Sequence, residues 1–254
     1  MSRPDGRSPA EPRPVEIVPH FHRNAEGSVL YRAGGTVVLC TASIDVGVPA
    51  WMSGKGKGWL TAEYQMHPRA NPARREAREG RGKSPSGRTQ EIQRLIGRAL
   101  RSAIDLDATG ERTIVIDCDV LEADGGTRTA SITGGFVAAV LALAKLRTAG
   151  QIAPVLRDQV AAISVGHLGG DALLDLVYEE DSRARVDLNV VGTARGSIVE
   201  VQATAEGEAI ERRDLDAMID VGLVGVAKLV AMQRSALASA GVELASLFQP
   251  GRFS

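Results

Sequence analysis

The sequence predicts a mixed chain, α+β or α/β in class, in which a sheet-and-helix unit occurs twice, and three observations carry that prediction. Runs that alternate apolar and polar residues recur in both halves, around Ile114 to Val120 and again at Val186 to Val190 and Ser197 to Thr204. Helical periodicity follows strands in each half, starting at Thr89 and again near Asp214. Phe136 to Leu146 is apolar on nearly every side, which fits a helix enclosed between layers rather than one lying on a surface. With 254 residues and 44% hydrophobic content, the chain can bury a full core. The expected unit spans residues 1–254, with two similar halves that meet near 150–160.

Each element has a local reason. Thr36 to Ile44 (TVVLCTASI) reads as a buried strand, entered by a turn at Ala33-Gly34-Gly35. Ile92, Leu95, Ile96, Ala99, Leu100 and Ala103 fall at i, i+3, i+4, i+7, i+8 and i+11, which defines one apolar helix face. Ser86-Gly87-Arg88-Thr89 supplies cap chemistry for that helix and sets Arg88 beside its first backbone amides. Ile114, Ile116, Cys118 and Val120 alternate with Val115, Asp117 and Asp119, so one face of this strand meets the core. In the second half, Ala161 to Gly166 and Ala172 to Leu176 are short apolar strands separated by Gly169-Gly170. Val186, Leu188 and Val190 point inward, with Asp187 and Asn189 on the opposite face. Asp214 is placed to cap a final helix with Leu215, Met218, Ile219, Val226 and Leu229 on one side.

Composition removes several classes of function. Cys40 and Cys118 sit in apolar strands, as small buried hydrophobes of a reduced, cytoplasmic protein rather than a disulfide framework. The Arg- and Pro-rich start, MSRPDGRSPAEPRPVEI, lacks the apolar stretch of a signal peptide or anchor, and no run of about 18 apolar residues follows, so no membrane association is expected. Net charge is only −1, but its distribution is uneven. Between Arg69 and Arg88 stand seven basic residues (Arg69, Arg74, Arg75, Arg78, Arg81, Lys83, Arg88) against Glu76 and Glu79, a local +5 on an exposed Pro- and Gly-rich loop. Such a loop suits a polyanion; it equally suits a solvated loop or a subunit contact.

Between the strand ending near Val120 and the apolar helix lies DGGTR. Gly125, Gly126 and Thr127 can turn their amides toward one point, and Arg128 adds a planar fork of donors, so the turn suits an oxyanion as well as a plain tight turn. Asp181 and Asp187 lie six apart, an even spacing that places both on one face if the backbone between them stays extended, where they could share a divalent cation. The same residues fit a solvated turn at Glu179 to Asp181 with Asp187 paired to Arg183 or Arg185. His20 and His22 would share a strand face but have no third ligand nearby in sequence, which favours a structural role. The glycine-rich turn has neither the Lys of a Walker loop nor the spacing of a dinucleotide fingerprint, and no Ser, Cys or His has a nucleophile setting. Covalent catalysis and nicotinamide chemistry are therefore not indicated.

Taken together, RPDGR (Arg3 to Arg7), AEGSVL (Ala25 to Leu30), GWLTAEYQM (Gly58 to Met66), GRTQEIQRLIGRAL (Gly87 to Leu100), TIVIDCDVLEADGGTRTASITGG (Thr113 to Gly135), LDLVYEEDS (Leu174 to Ser182) and VEVQATAEG (Val199 to Gly207) resemble the ribonuclease PH family. The resemblance spans nearly the whole chain, in the family's order. It implies duplicated mixed sheet-plus-helix units of the ribonuclease PH, or ribosomal protein S5 domain 2-like, type. It further implies a phosphorolytic 3′→5′ exoribonuclease that trims tRNA precursors with inorganic phosphate as co-substrate, releases nucleoside diphosphates and can run backwards as a nucleotidyltransferase. By the same resemblance, Arg88, Gly126, Thr127 and Arg128 would bind phosphate, Asp181 and Asp187 would hold Mg2+ or Mn2+, and Arg69, Arg74 and Arg78 would contact RNA. A homo-hexamer built as a trimer of dimers is implied as well. The competing expectation is a non-catalytic RNA-binding subunit in an exosome-like ring, which should have lost some of these positions.

Overall fold

The computed structural model describes residues 3–78 and 84–252. Glu79, Arg81 and Lys83 of the basic run, with Gly80 and Gly82, lie outside the described residues.

Among the described residues, two sheets, four α-helices and two short 3-10 helices form the fold. The first sheet holds β1 (Val15–Pro19), β2 (Gly27–Ala33), β3 (Thr36–Val46), β4 (Trp59–Met66) and β5 (Arg112–Glu122), in the order β1-β2-β3-β5-β4. All neighbours are antiparallel except β4 and β5, which run parallel. A parallel pair needs a crossover connection, and α1 (Gly87–Ala103) provides it, packing on β4. Ser86 caps α1 as the sequence indicates, its hydroxyl oxygen accepting from the Thr89 amide at 3.2 Å.

From β5 the chain turns through Gly125-Gly126 into α2 (Thr127–Thr148), which is buried without interruption from Thr129 to Leu143. This helix lies on β2 and β3 and also meets β6 (Val160–Leu168), so it is enclosed from both sheets. By length and composition α2 could cross a membrane; its burial marks it as the core helix instead. Cys40 and Cys118 are register partners on β3 and β5, both buried and free, and each thiol lies against the Ser131 carbonyl of α2.

The second sheet is β7 (Asp171–Leu174), β6, β8 (Val186–Thr193) and β9 (Ile198–Ala205), antiparallel throughout in the order β7-β6-β8-β9. One face packs on α4 (Arg212–Ser239) through Ile163, Val165, Leu188, Val190, Met218 and Val226. Asp214 does not cap this helix: Glu211 occupies the cap position, and Asp214 stands in the first turn, where its charge faces the helix's positive end. The other face of the sheet carries Ser164, Asp187, Asn189 and Gln202 and turns toward the start of α2. His20 and His22 do not share a strand face. β1 ends at Pro19, and His20 enters the hairpin turn with φ 58°, so the register that would align the two side chains is lost.

Candidate active site

The site forms where the first turns of two helices meet the polar face of the second sheet. Gly125 and Gly126 both have left-handed backbones, φ 77° and 64°, which lets β5 turn sharply into α2. No side chain caps this helix end, so its first amides and the positive end of the helix dipole face the surface beside Thr127 and Arg128. The Thr127 hydroxyl shares a 2.9 Å hydrogen bond with the hydroxyl of buried Tyr64. Burial pushes the Tyr64 phenol up, with Thr127, Arg88 and Arg128 opposing that rise. Arg128 is held rather than free: its Nη1 donates to Gln202 Oε1 at 3.0 Å and lies 3.5 Å from Glu91 Oε1. Gln202 in turn donates to Glu91 at 3.0 Å, fixing the acceptor pair that aims the guanidinium.

Arg88 sits exposed in the first turn of α1. Asp181 closes a one-turn helix, α3 (Tyr178–Asp181), and Asp187 lies on β8. The backbone between them is therefore not extended, and the even spacing does not align them; the reversal after α3 brings them together instead. Burial raises the Asp181 carboxyl above its usual range, with Arg88 and Arg128 pulling it back. Asp187 is raised by burial and then by the charge of Asp181, against the opposing pull of Arg128, Asn189 and Arg88. Each arginine thus acts on both carboxylates, so the four side chains occupy one corner. The alternative pairing of Asp187 with Arg183 or Arg185 is not adopted: Arg183 pairs with Glu179 at 3.6 Å, and Arg185 turns to His167.

The residues after β4 are irregular, and Arg69, Arg74 and Arg78 are exposed there. Arg74 pairs with Glu76 at 2.8 Å, and Arg78 lowers the pKa of Asp119, which burial holds up. A cleft of about 630 Å³ opens by the outer face of the first sheet and reaches Tyr64 and, at the start of α1, Thr89. Glu63, Asp117 and Asp119 line it, and these carboxylates repel an anion, unlike the arginine-bearing helix starts.

Several supporting residues escape sequence reasoning. Gln202 and Glu91 hold Arg128, and both are polar residues at half-exposed positions that carry no signal of a partner. Tyr64 could have been suspected, since an aromatic with a polar tip on the core face of β4 needs a partner. Arg13 gives no signal, and Arg3 only as part of the RPDGR segment, because the carboxylates they pair with lie more than 100 residues away.

A family model described as the 3′ exoribonuclease family, domain 1, matches residues 11–147, and domain 2 of the same family matches 158–225. Among solved structures, rice (Oryza sativa) Rrp46 superposes with a TM-score of 0.75 at 19% identity, over 92% of this chain and 100% of that one. An Archaeoglobus fulgidus exosome with RNA bound to the active site gives 0.75 at 24% identity, over 91% and 92%. An archaeal exosome core gives 0.71 at 21%, over 92% and 91%. At these identities the structural likeness speaks for the fold.

Proposed function

Because the chain belongs to the 3′ exoribonuclease family of ribonuclease PH type, we propose that it is a phosphate-dependent nucleotidyltransferase that shortens tRNA precursors from their 3′ ends. What supports this reading is that Arg88 and Arg128, from two helix starts, both pull down the pKa of Asp181 and of Asp187, against burial that raises them. An exosome solved with RNA at its active site has the same fold, which supports RNA as the polymer.

Inorganic phosphate sits at the α2 start, bound by the Gly126 and Thr127 amides, the Thr127 hydroxyl and the Arg128 fork, with Arg88 closing the other side. An oxygen of this phosphate attacks the phosphorus of the last internucleotide link. The bond from that phosphorus to the 3′ oxygen of the preceding nucleotide breaks, and the terminal nucleotide leaves as a nucleoside diphosphate. Attacker and target are both anions, so the main task of the protein is to place them together and offset their repulsion, which the two arginines do. One phosphoanhydride forms as one phosphodiester is lost, so phosphate concentration sets the direction.

The donor set fits a magnesium or manganese ion. Among the described residues no group of three His, Cys, Asp or Glu side chains could form an all-protein cage, whereas two carboxylates completed by water and phosphate oxygens suit these hard cations. Asp181 and Asp187 would hold the ion, which supplies Lewis-acid stabilisation of charge on the scissile phosphate. Arg69, Arg74 and Arg78 lead the RNA strand in, the working assembly is a homo-hexamer, and the protein acts in the cytoplasm.

The test is a tRNA carrying extra 3′ nucleotides, incubated with and without inorganic phosphate. Nucleoside diphosphates that appear only with phosphate support the proposal. Monophosphates would mean hydrolysis, and RNA binding without any release would favour the non-catalytic ring subunit.

A further inference from the structure

Two short segments carry the opposing halves of the site, and a third ties them together. The anion turn, residues 124–127, leaves the first sheet, while the carboxylate segment, residues 174–181, joins β7 to β8 of the second. Arg13 belongs to neither, yet its side chain reaches both and is only 4% exposed. Its Nε and Nη2 grip the Asp175 carboxylate at 3.0 and 2.6 Å, and its main-chain N–H donates to the same group at 2.8 Å. Its Nη1 donates to the Asp124 carbonyl at 2.5 Å, and its Nη2 reaches the Gly125 carbonyl at 3.5 Å. Asp175 itself is a non-glycine residue with φ 55°, a strained backbone that the grip of Arg13 holds in place.

The far side of the carboxylate segment is locked separately. Arg3, 4% exposed, forms a fork-to-fork pair with Glu180, both bonds 2.8 Å, and donates to the Leu174 and Asp175 carbonyls. Arg7 adds a bond to the Asp175 carbonyl at 3.0 Å. Glu180 precedes Asp181, so the segment is a rigid piece whose base is set by N-terminal arginines.

We infer that Arg13 is a positioning residue that fixes the anion turn against the carboxylate segment, and that Arg3 steadies the carboxylate segment alone. The inference rests on the site reading given above. A guanidinium divided between the two halves sets the separation of Arg128 from Asp181; an ion pair within one segment could not.

The two arginines therefore predict different losses. In the full chain, calorimetric titration with inorganic phosphate and, separately, with Mn2+ reads each half without turnover. Arg13→Lys keeps the charge but loses the fork, and should weaken both ligands by about tenfold or more. Arg3→Lys should weaken Mn2+ and leave phosphate within about twofold of wild type. In turnover, Arg13→Lys should raise the KM for phosphate while the KM for RNA holds. Should Arg13→Lys fail to fold, the isosteric Asp175→Asn carries the same expectation and the same refutation. A folded variant of either kind that binds both ligands as wild type does overturns the inference and leaves the function standing. A wild-type chain that binds neither ligand overturns the function, and this inference with it.

Discussion

Gly125→Ala tests how closely the two halves of the site are packed. Gly125 has φ 77°, so an added Cβ costs about 1–2 kcal/mol from backbone conformation alone. That Cβ would also fall inside the 3.0 Å limit from the Leu176 carbonyl oxygen and at 3.1 Å from the Tyr178 nitrogen. Both are backbone atoms of the carboxylate segment and cannot rotate away. Ordinary contact is about 3.5–4.0 Å, so the turn and the segment must part by roughly 1 Å. Overpacking of this kind adds about 1–3 kcal/mol. The total, about 2–5 kcal/mol, lowers the unfolding temperature by roughly 4–20 °C for a chain of this size and still leaves it folded. A displacement of about 1 Å between phosphate and the reacting link can slow the reaction about 100-fold. Gly196→Ala is the control, with the same φ of 77° and no atom within 4 Å, so it should lose stability from conformation only and keep its rate. The assays are thermal unfolding and the initial rate of diphosphate release. If Gly125→Ala trimmed RNA within about threefold of wild type at an unchanged unfolding temperature, the close apposition of the turn and the carboxylate segment would be refuted.

Arg128→Ala and Asp187→Asn should each abolish phosphate-dependent diphosphate release while the assembly, read by light scattering, stays as in wild type. Asp181 and Asp187 have folded pKa values raised above 3.8, so the folded state binds more protons across that window and stability falls as pH rises through it. At neutral pH without divalent cation, Asp187→Asn should therefore raise the unfolding temperature by a few degrees, and wild-type activity should fall on the acid side, as pH drops through the raised values. Arg3→Ala leaves the buried Glu180 carboxylate, its side chain 2% exposed, with only Arg7 at 3.9 Å and the Val177 amide, and should cost about 3 kcal/mol in denaturant unfolding. Joint replacement of Arg74 and Arg78 by Ala should weaken RNA binding and flatten its dependence on salt, with phosphate affinity in calorimetry unchanged.

The parts of this fold that were legible are those whose cause is local. β5, the glycine turn and α2 follow from alternation, from the freedom of Gly125 and Gly126, and from an apolar run with no polar face. The cap of α1 was equally plain, because Ser86 and Thr89 are three residues apart. The argument that aligned Asp181 with Asp187 by even spacing is not supported by the structure. Even spacing required an extended backbone, and a helical turn intervenes, so Asp181 and Asp187 meet through the chain reversal between α3 and β8. The scaffold behind the site was illegible for a different reason. Arg13 meets Asp175 across 162 residues and Arg3 meets Glu180 across 177, and no local pattern marks which buried arginine will find which carboxylate.

The near-neutral net charge hides a separation of charge that β4 explains. Glu63 and Tyr64 are consecutive and face opposite ways, as strand residues must. Glu63 joins Asp117 and Asp119 on the outer face of the sheet, where burial holds all three carboxyls above their usual range. Tyr64 points inward to Thr127 at the start of α2, beside Arg128. A single strand therefore divides an acidic surface from a cationic corner. Those carboxylates repel a polyanion while the arginines, Arg88 and Arg128 among them, attract one, so the same alternation that builds the core also biases where a polyanion would settle. Making the outer face less acidic, by Asp117→Asn with Asp119→Asn, should for this reason increase RNA binding that does not lead to trimming.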